Sequence, residues 1–222
     1  MTEKTIESSY QSSIATIWKD RVAKHQEYTA QIPFSDFKVF DFICQNVPKN
    51  SQLQVSNSSA IRYLQLFDLD KSIQVFCNRG TSGIDGGTST AIGAALATNL
   101  PTILITGDIS FLYDSNALWN NYIPKNFKII LLNNSGGGIF RILPGHQETE
   151  TFNTYFETSH QLNASHLAKM FGLDYFEAND EATLQQQYKS FLNQNEKPSF
   201  LEIFTTEKEN NGILLEFFRG LK

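Results

Sequence analysis

From residue 52 onward, short runs rich in β-branched and apolar residues alternate with stretches of helical character, and this alternation limits the fold more than any other feature. The runs are LQVSN, IQVFCN, PTILITGD, FKIILLNN, LDYFEA and PSFLEIFT. Between them lie SSAIRYLQLF, GGTSTAIGAALATN, SFLYDSNALWNNY, a glycine-rich loop and DEATLQQQYKSFLNQN. Six strands interleaved with helices predict an α/β fold: a doubly wound, mainly parallel six-stranded sheet with helices on both faces. TILIT and KIILL are continuously apolar, as strands covered on both faces are, and are expected at the centre.

Residues 1–34 read as a helical lead-in or linker ahead of a main domain at 35–222. Ile14, Ile17, Trp18, Val22 and Ala23 fall on one face at spacings of three and four, which predicts a helix bracing the domain from outside. Ser35 is the expected N-cap of a second helix that ends near Pro48. The segment from Arg141 to His160 has no clean period and carries Pro144 and Gly145, so a long loop with a short helical turn is expected beside the site.

A net charge of -5 with no dense Lys/Arg run argues against nucleic acid as a partner. No apolar run is long enough for a membrane span. The start, MTEKTIESSYQSS, lacks the apolar core of a secretory signal. Cys44 and Cys77 lie in apolar contexts with no metal-ligand spacing, so both are expected to be buried structural thiols in a reducing, cytoplasmic compartment. His25, His146, His160 and His166 show no ligand spacing either, and surface or packing roles are expected for them.

Open parallel sheets bind ligands beyond the carboxyl ends of their strands. Four such ends here are polar: Ser56-Asn57-Ser58-Ser59, Asn78 to Gly83, Gly107-Asp108-Ile109-Ser110 and Asn133-Asn134-Ser135-Gly136. These small, oxygen-bearing residues suit a diphosphate with a hard cation, since magnesium combines one or two carboxylates with phosphate oxygens and water. If TILIT and KIILL are neighbours, the Asp108 carboxylate and an asparagine amide oxygen meet. A helix starting after Gly107 would aim free N–H groups at the anion, with Ser110 close by.

Gly-Asp-x-Ser, then some two dozen residues, then Asn-Asn resembles the binding signature of thiamine diphosphate enzymes. NRGTSGIDG (Asn78 to Gly86), GDISFLYDSNAL (Gly107 to Leu118) and NNSGGGIF (Asn133 to Phe140) further resemble the 2-succinyl-5-enolpyruvyl-6-hydroxy-3-cyclohexene-1-carboxylate synthases of menaquinone biosynthesis. That family shares the aliphatic third residue, here Ile109, in place of the more usual glycine.

The resemblance implies a thiamine diphosphate-binding fold, Mg2+ or Mn2+ held by Asp108, Asn134 and the Gly136 carbonyl, and cofactor contacts from Asn57, Ser58, Ile84, Gly107, Asp108, Ser110, Asn134 and Phe140. Ile84 would be the wedge that bends the cofactor. Arg62 and Arg79 would pair with substrate carboxylates, which guanidinium geometry suits. The implied reaction decarboxylates 2-oxoglutarate and adds the succinic semialdehyde carbanion equivalent to isochorismate. The family's pyrimidine-binding and central domains are absent from these 222 residues, and with them the activating glutamate. A partner subunit of a homodimer or tetramer would supply that glutamate, so no catalytic acid or base is expected in this chain, and the chain alone is expected to be inactive.

Other readings weigh less. Asp108 alone could be a helix N-cap, and Asn134 and Gly136 could be turn residues. Arg62 could be a solvated helix charge, and Ile84 or Phe140 plain packing. An acetolactate synthase or 2-oxoacid decarboxylase type would share the cofactor, but its one-carboxylate substrates need fewer cationic anchors. A non-catalytic cofactor-binding module remains for the isolated chain. A dinucleotide-binding domain lacks its G-x-G-x-x-G.

Overall fold

The computed structural model describes residues 9–221. All six expected strands form: β1 (Gln52–Val55), β2 (Gln74–Cys77), β3 (Thr102–Gly107), β4 (Lys128–Asn133), β5 (Asp174–Ala178) and β6 (Ser199–Phe204). They make one sheet in the order β2-β1-β3-β4-β6-β5, with every pairing parallel. TILIT and KIILL are the two central strands, β3 and β4. The chain winds outward from β1 to β2, then returns to the other side of β1 to begin β3. That reversal opens a crevice at the carboxyl ends of β1 and β3, where ligands of such sheets bind.

Alternate residues of each strand feed two apolar layers. On one face Ile103, Ile105, Ile130 and Leu132 pack with α2 (Asp36–Asn46), α3 (Ser59–Leu64), α7 (Glu181–Asn193) and α8 (Asn210–Gly220). On the other, Leu104, Ile129 and Leu131 pack with α4 (Gly87–Leu96), α5 (Asp108–Tyr113) and α6 (Ser165–Met170). Each fully buried Leu, Ile or Phe contributes about 1.5–3 kcal/mol. The central strands therefore fix the end of the sheet that carries the polar residues.

The first helix, α1 (Ser9–Gln31), departs from expectation. Residues 1–8 of the lead-in lie outside the described residues. Ile14, Ile17 and Trp18 are exposed, so the stripe does not face the domain. Only the far end docks: the Tyr28 hydroxyl donates to the Ile213 carbonyl at 2.6 Å, and the His25 ring sits 4.9 to 5.3 Å from the rings of Phe37, Phe67 and Phe217. At α2, Ser35 holds the N-cap position, but its buried hydroxyl makes no capping bond. Cys44 is buried, its thiol pushed up to about 12 by desolvation, whereas Cys77 is half-buried; both are free. Two helices went unread in the sequence, α6 and α8.

Candidate cofactor and metal site

A cavity of about 520 Å³ fills the crevice at the β1/β3 reversal. Its wall includes Asn57, Ser58, Arg62, Ile84, Gly107, Asp108, Ser110, Asn134, Gly136 and Phe140. Arg79 is outside the wall but reaches it, since its guanidinium donates to Asn57 Oδ1 at 2.7 Å. The residues singled out in the sequence are thus brought together from four strand ends.

Register explains the central pair. Gly107 of β3 sits opposite Leu132 of β4, so Asp108 arrives beside Asn133 and Asn134. The Asp108 carboxylate accepts from the Ile109 N–H at 2.7 Å and the Gly136 N–H at 2.9 Å, which ties one strand end to the other. Asn133 is spent elsewhere: its amide donates to Glu202 Oε1 at 2.6 Å and the Leu162 carbonyl at 2.9 Å, while its Oδ1 accepts from Ser135 N–H at 3.1 Å. Asn134 is different. Its Nδ2 donates to Asp36 Oδ2 at 2.9 Å, which turns its Oδ1 away from Asp36. The Gly136 carbonyl accepts from Gly138 N–H at 3.0 Å and keeps a second lone pair.

The loops around the cavity are tight. Ser58, Ser82 and Thr158, all lining it, have positive φ (81°, 66° and 55°), as does Ser135 (65°). Such conformations cost roughly 1–3 kcal/mol each and cluster at functional sites. A Cβ at Gly136 would lie 2.8 Å from the Glu157 carbonyl oxygen, and one at Gly87 2.6 Å from Ser56 Oγ. At Gly107 a Cβ would meet nothing within 4 Å, so this strand end is open to an approaching ligand.

Several side chains position their neighbours. Ser110 Oγ donates to the Ile84 carbonyl at 2.5 Å, fixing the residue expected to be the wedge. Asn57 Nδ2 donates to the Ser82 carbonyl at 2.5 Å and its Oδ1 accepts from Arg79, so both ends of the amide hold the loop after β2. Arg62 donates to the Ser58 carbonyl at 2.8 Å. Both guanidiniums are exposed and converge on Asn57 and Ser58. Phe140 packs edge-on against Phe156, with ring centres 5.9 Å apart. The α5 helix has only six residues, so a bound anion would meet the remaining free N–H groups of its first turn more than a macrodipole.

Three features were missed in the sequence. Asp36, 2% exposed, borders the cavity; burial pushes its carboxyl up to about 6, against the lowering pull of its hydrogen bonds from Thr205 and Asn134. His160, expected at the surface or in packing, places Nε2 3.3 Å from Asp108 Oδ2, although the angle is too poor for a hydrogen bond and leaves that nitrogen unpartnered. The neighbouring carboxylate holds its imidazole above the usual range. The third is what pins the Arg141 to His160 segment, which, as expected, is a loop with a short helical turn, at Phe152–Glu157, after another at Gly138–Ile142. It is pinned by a buried ion pair between Arg141 and Glu157, and Gly137 N–H donates to the Glu157 carbonyl at 2.5 Å. No spacing rule links partners this far apart.

The donor chemistry suits a diphosphate-bound cation. Among the described residues no cluster of three His, Cys, Asp or Glu side chains could hold a metal by itself. Asp108, Asn134 Oδ1 and the Gly136 carbonyl offer three oxygens, half an octahedron, which a diphosphate and water would complete. The open strand end at Gly107 borders the same space.

Residues 57–203 match the family model described as thiamine pyrophosphate enzyme, C-terminal TPP binding domain. The chain is 61% identical over 216 residues to the 2-succinyl-5-enolpyruvyl-6-hydroxy-3-cyclohexene-1-carboxylate synthase of Flavobacterium johnsoniae, covering 97% of this chain and 39% of that protein. It is 63% identical over 217 residues to the Flavobacterium psychrophilum synthase, covering 98% and 39%. The chain thus spans about two-fifths of the length of these relatives. A Rhodococcus jostii RHA1 thiamine diphosphate-dependent 4-hydroxybenzoylformate decarboxylase shares the fold, with a TM-score of 0.62, 22% identity, and coverage of 80% of this chain and 33% of that one. So does benzoylformate decarboxylase from Polynucleobacter necessarius, with a TM-score of 0.65, 19% identity, and coverage of 81% and 34%. No helix among the described residues is long and apolar enough to cross a membrane. The chain belongs to the thiamine pyrophosphate enzyme family, as its C-terminal TPP-binding domain.

Proposed function

We propose that this chain is the diphosphate- and metal-binding part of a transferase that decarboxylates 2-oxoglutarate and joins the remaining four-carbon unit to isochorismate, in menaquinone biosynthesis. The observation that carries this reading is the division of labour at β4: Asn133 is locked to Glu202, while Asn134 gives its nitrogen to Asp36 and lines the cavity with Asp108. Identity above 60% to synthases of that name supports the choice of reaction.

Asp108, Asn134 and the Gly136 carbonyl would hold Mg2+ or Mn2+, which neutralises the diphosphate. Ile84, anchored by Ser110, would serve as the apolar support of the bound cofactor, and Phe140 would close the apolar side. Thiamine diphosphate, when bound, supplies the carbanion chemistry. Arg62 and Arg79 receive substrate carboxylates at the rim, where their convergence on Asn57 and Ser58 suits substrates carrying more than one carboxylate.

The cavity's two carboxylates, Asp36 and Asp108, both accept protein hydrogen bonds, and on this reading neither is the acid that activates the cofactor. That group, with the pyrimidine-binding surface, comes from a further domain of a second subunit in a cytoplasmic homodimer or tetramer. The isolated chain is accordingly inactive. The test is 2-oxoacid consumption by the complete protein with isochorismate present: turnover of 2-oxoglutarate is expected, and turnover of pyruvate without 2-oxoglutarate overturns the assignment.

A further inference from the structure

A carboxamide is nearly symmetric in shape but not in chemistry. Its oxygen can ligate a hard cation; its NH2 group cannot. An asparagine offered as a metal ligand therefore needs something to decide which end faces the ion. At Asn134 that something is visible: Nδ2 lies 2.9 Å from Oδ2 of Asp36, a residue 98 positions away in sequence. A carboxylate only accepts, so it selects the NH2 end and leaves the oxygen for the cavity.

Asp36 is itself held firmly. Thr205 Oγ1, just after β6, donates to its Oδ1 at 2.5 Å, and its backbone N–H donates to Asn210 Oδ1 at 2.9 Å. Asn210 is fixed in turn, donating to the Thr206 carbonyl at 2.7 Å. The starts of α2 and α8 and the ends of β4 and β6 thus meet at Asp36, a residue 2% exposed. No Lys, Arg or His among the described residues forms an ion pair with it. Burying a carboxylate without a cation is costly. A threonine or asparagine would tie the same elements together at lower cost, so the charge needs a reason other than packing.

We infer that Asp36 is a positioning residue for the metal site, setting the Asn134 amide so that its oxygen, and not its nitrogen, faces the cation. This rests on Asp108 and Asn134 being the metal ligands, as proposed above. Partners behind a ligand typically govern metal affinity by 10- to 100-fold. Asp36 is placed to do so without touching metal, cofactor or substrate.

The test measures Mn2+ affinity by electron paramagnetic resonance, in the complete protein with thiamine diphosphate present, for wild type, Asp36→Asn, Asp108→Ala and the swap Asp36→Asn/Asn134→Asp. Asp36→Asn lets either amide end face the ion, so affinity is expected to fall by roughly 10- to 100-fold while the melting temperature does not fall. The swap restores a donor at position 36 and an oxygen facing the cation, so affinity recovers to within a few-fold of wild type. A purely structural brace predicts lost stability in Asp36→Asn with unchanged metal affinity, and that result overturns the inference. If Asp36→Asn does not fold, the swap decides: recovered affinity supports the inference, and a folded swap protein that binds Mn2+ weakly overturns it. Wild-type affinity in Asp108→Ala overturns the ligand assignment and this inference together. Loss there with none in Asp36→Asn overturns the inference alone.

Discussion

At the scale of single residues, the site was legible wherever a chemical type recurred at a strand end. Asp108 and the Asn133-Asn134 pair follow the two most apolar strands, and a doubly wound sheet brings such ends together. How each asparagine amide is held was not readable from spacing, because it depends on Glu202 and Asp36, 69 and 98 positions from their partners. His160 escaped for the same reason, since it reaches Asp108 only through the loop it ends. The two arginines give a prediction here. Losing a charge-assisted carboxylate contact costs about 1.5–3 kcal/mol, so Arg62→Ala or Arg79→Ala in the complete protein should raise KM for 2-oxoglutarate or isochorismate by roughly ten-fold or more. Steady-state kinetics decides it: unchanged KM for both substrates in both variants removes the arginines from the substrate site.

At the scale of elements, period and apolar continuity were enough to find all six strands. They were not enough for two helices. The six residues of α6 are too few to show a period, and α8 opens with Asn210-Asn211-Gly212, a turn signal that hides the stripe of Ile213, Leu214 and Phe217. The stripe on α1 misled in the opposite sense, because an apolar face does not say what covers it. That helix docks through His25, whose imidazole is lowered below its usual range by burial, against the raising fields of Asp41 and Asp68. Below pH 6.5 the unfolded chain therefore takes up this proton before the folded one, and the His25 contribution to stability falls as pH drops from 7 toward 5, against the opposite contributions of Asp36 and His160. His25→Phe should flatten that part of the profile in thermal unfolding; an unchanged slope would assign it to other groups. The loop beside the cavity depends on a different contact. Removing one partner of a buried ion pair costs roughly 3–5 kcal/mol, and Arg141 and Glu157 are 3% and 1% exposed. Arg141→Ala should lower the melting temperature by on the order of 10 °C, whereas a shift of a degree or less would show that Glu157 finds other partners.

At the scale of the whole molecule, fold class followed from the strand and helix rhythm, but strand order did not. Only the structure shows β2 outside β1, and that reversal is what makes the crevice. The chain brings Asp108, Asn134, Gly136, Ile84 and Arg62 to one cavity, and spans about two-fifths of the length of relatives named as the synthase. On the proposed reading it forms one wall of a composite site. The central claim, a diphosphate-bound cation held by Asp108, is tested most directly by calorimetric titration of thiamine diphosphate with Mg2+ into the complete protein. The account predicts that Asp108→Ala abolishes the Mg2+-dependent part of the affinity while the protein stays folded; Mg2+-dependent binding equal to that of wild type would contradict it.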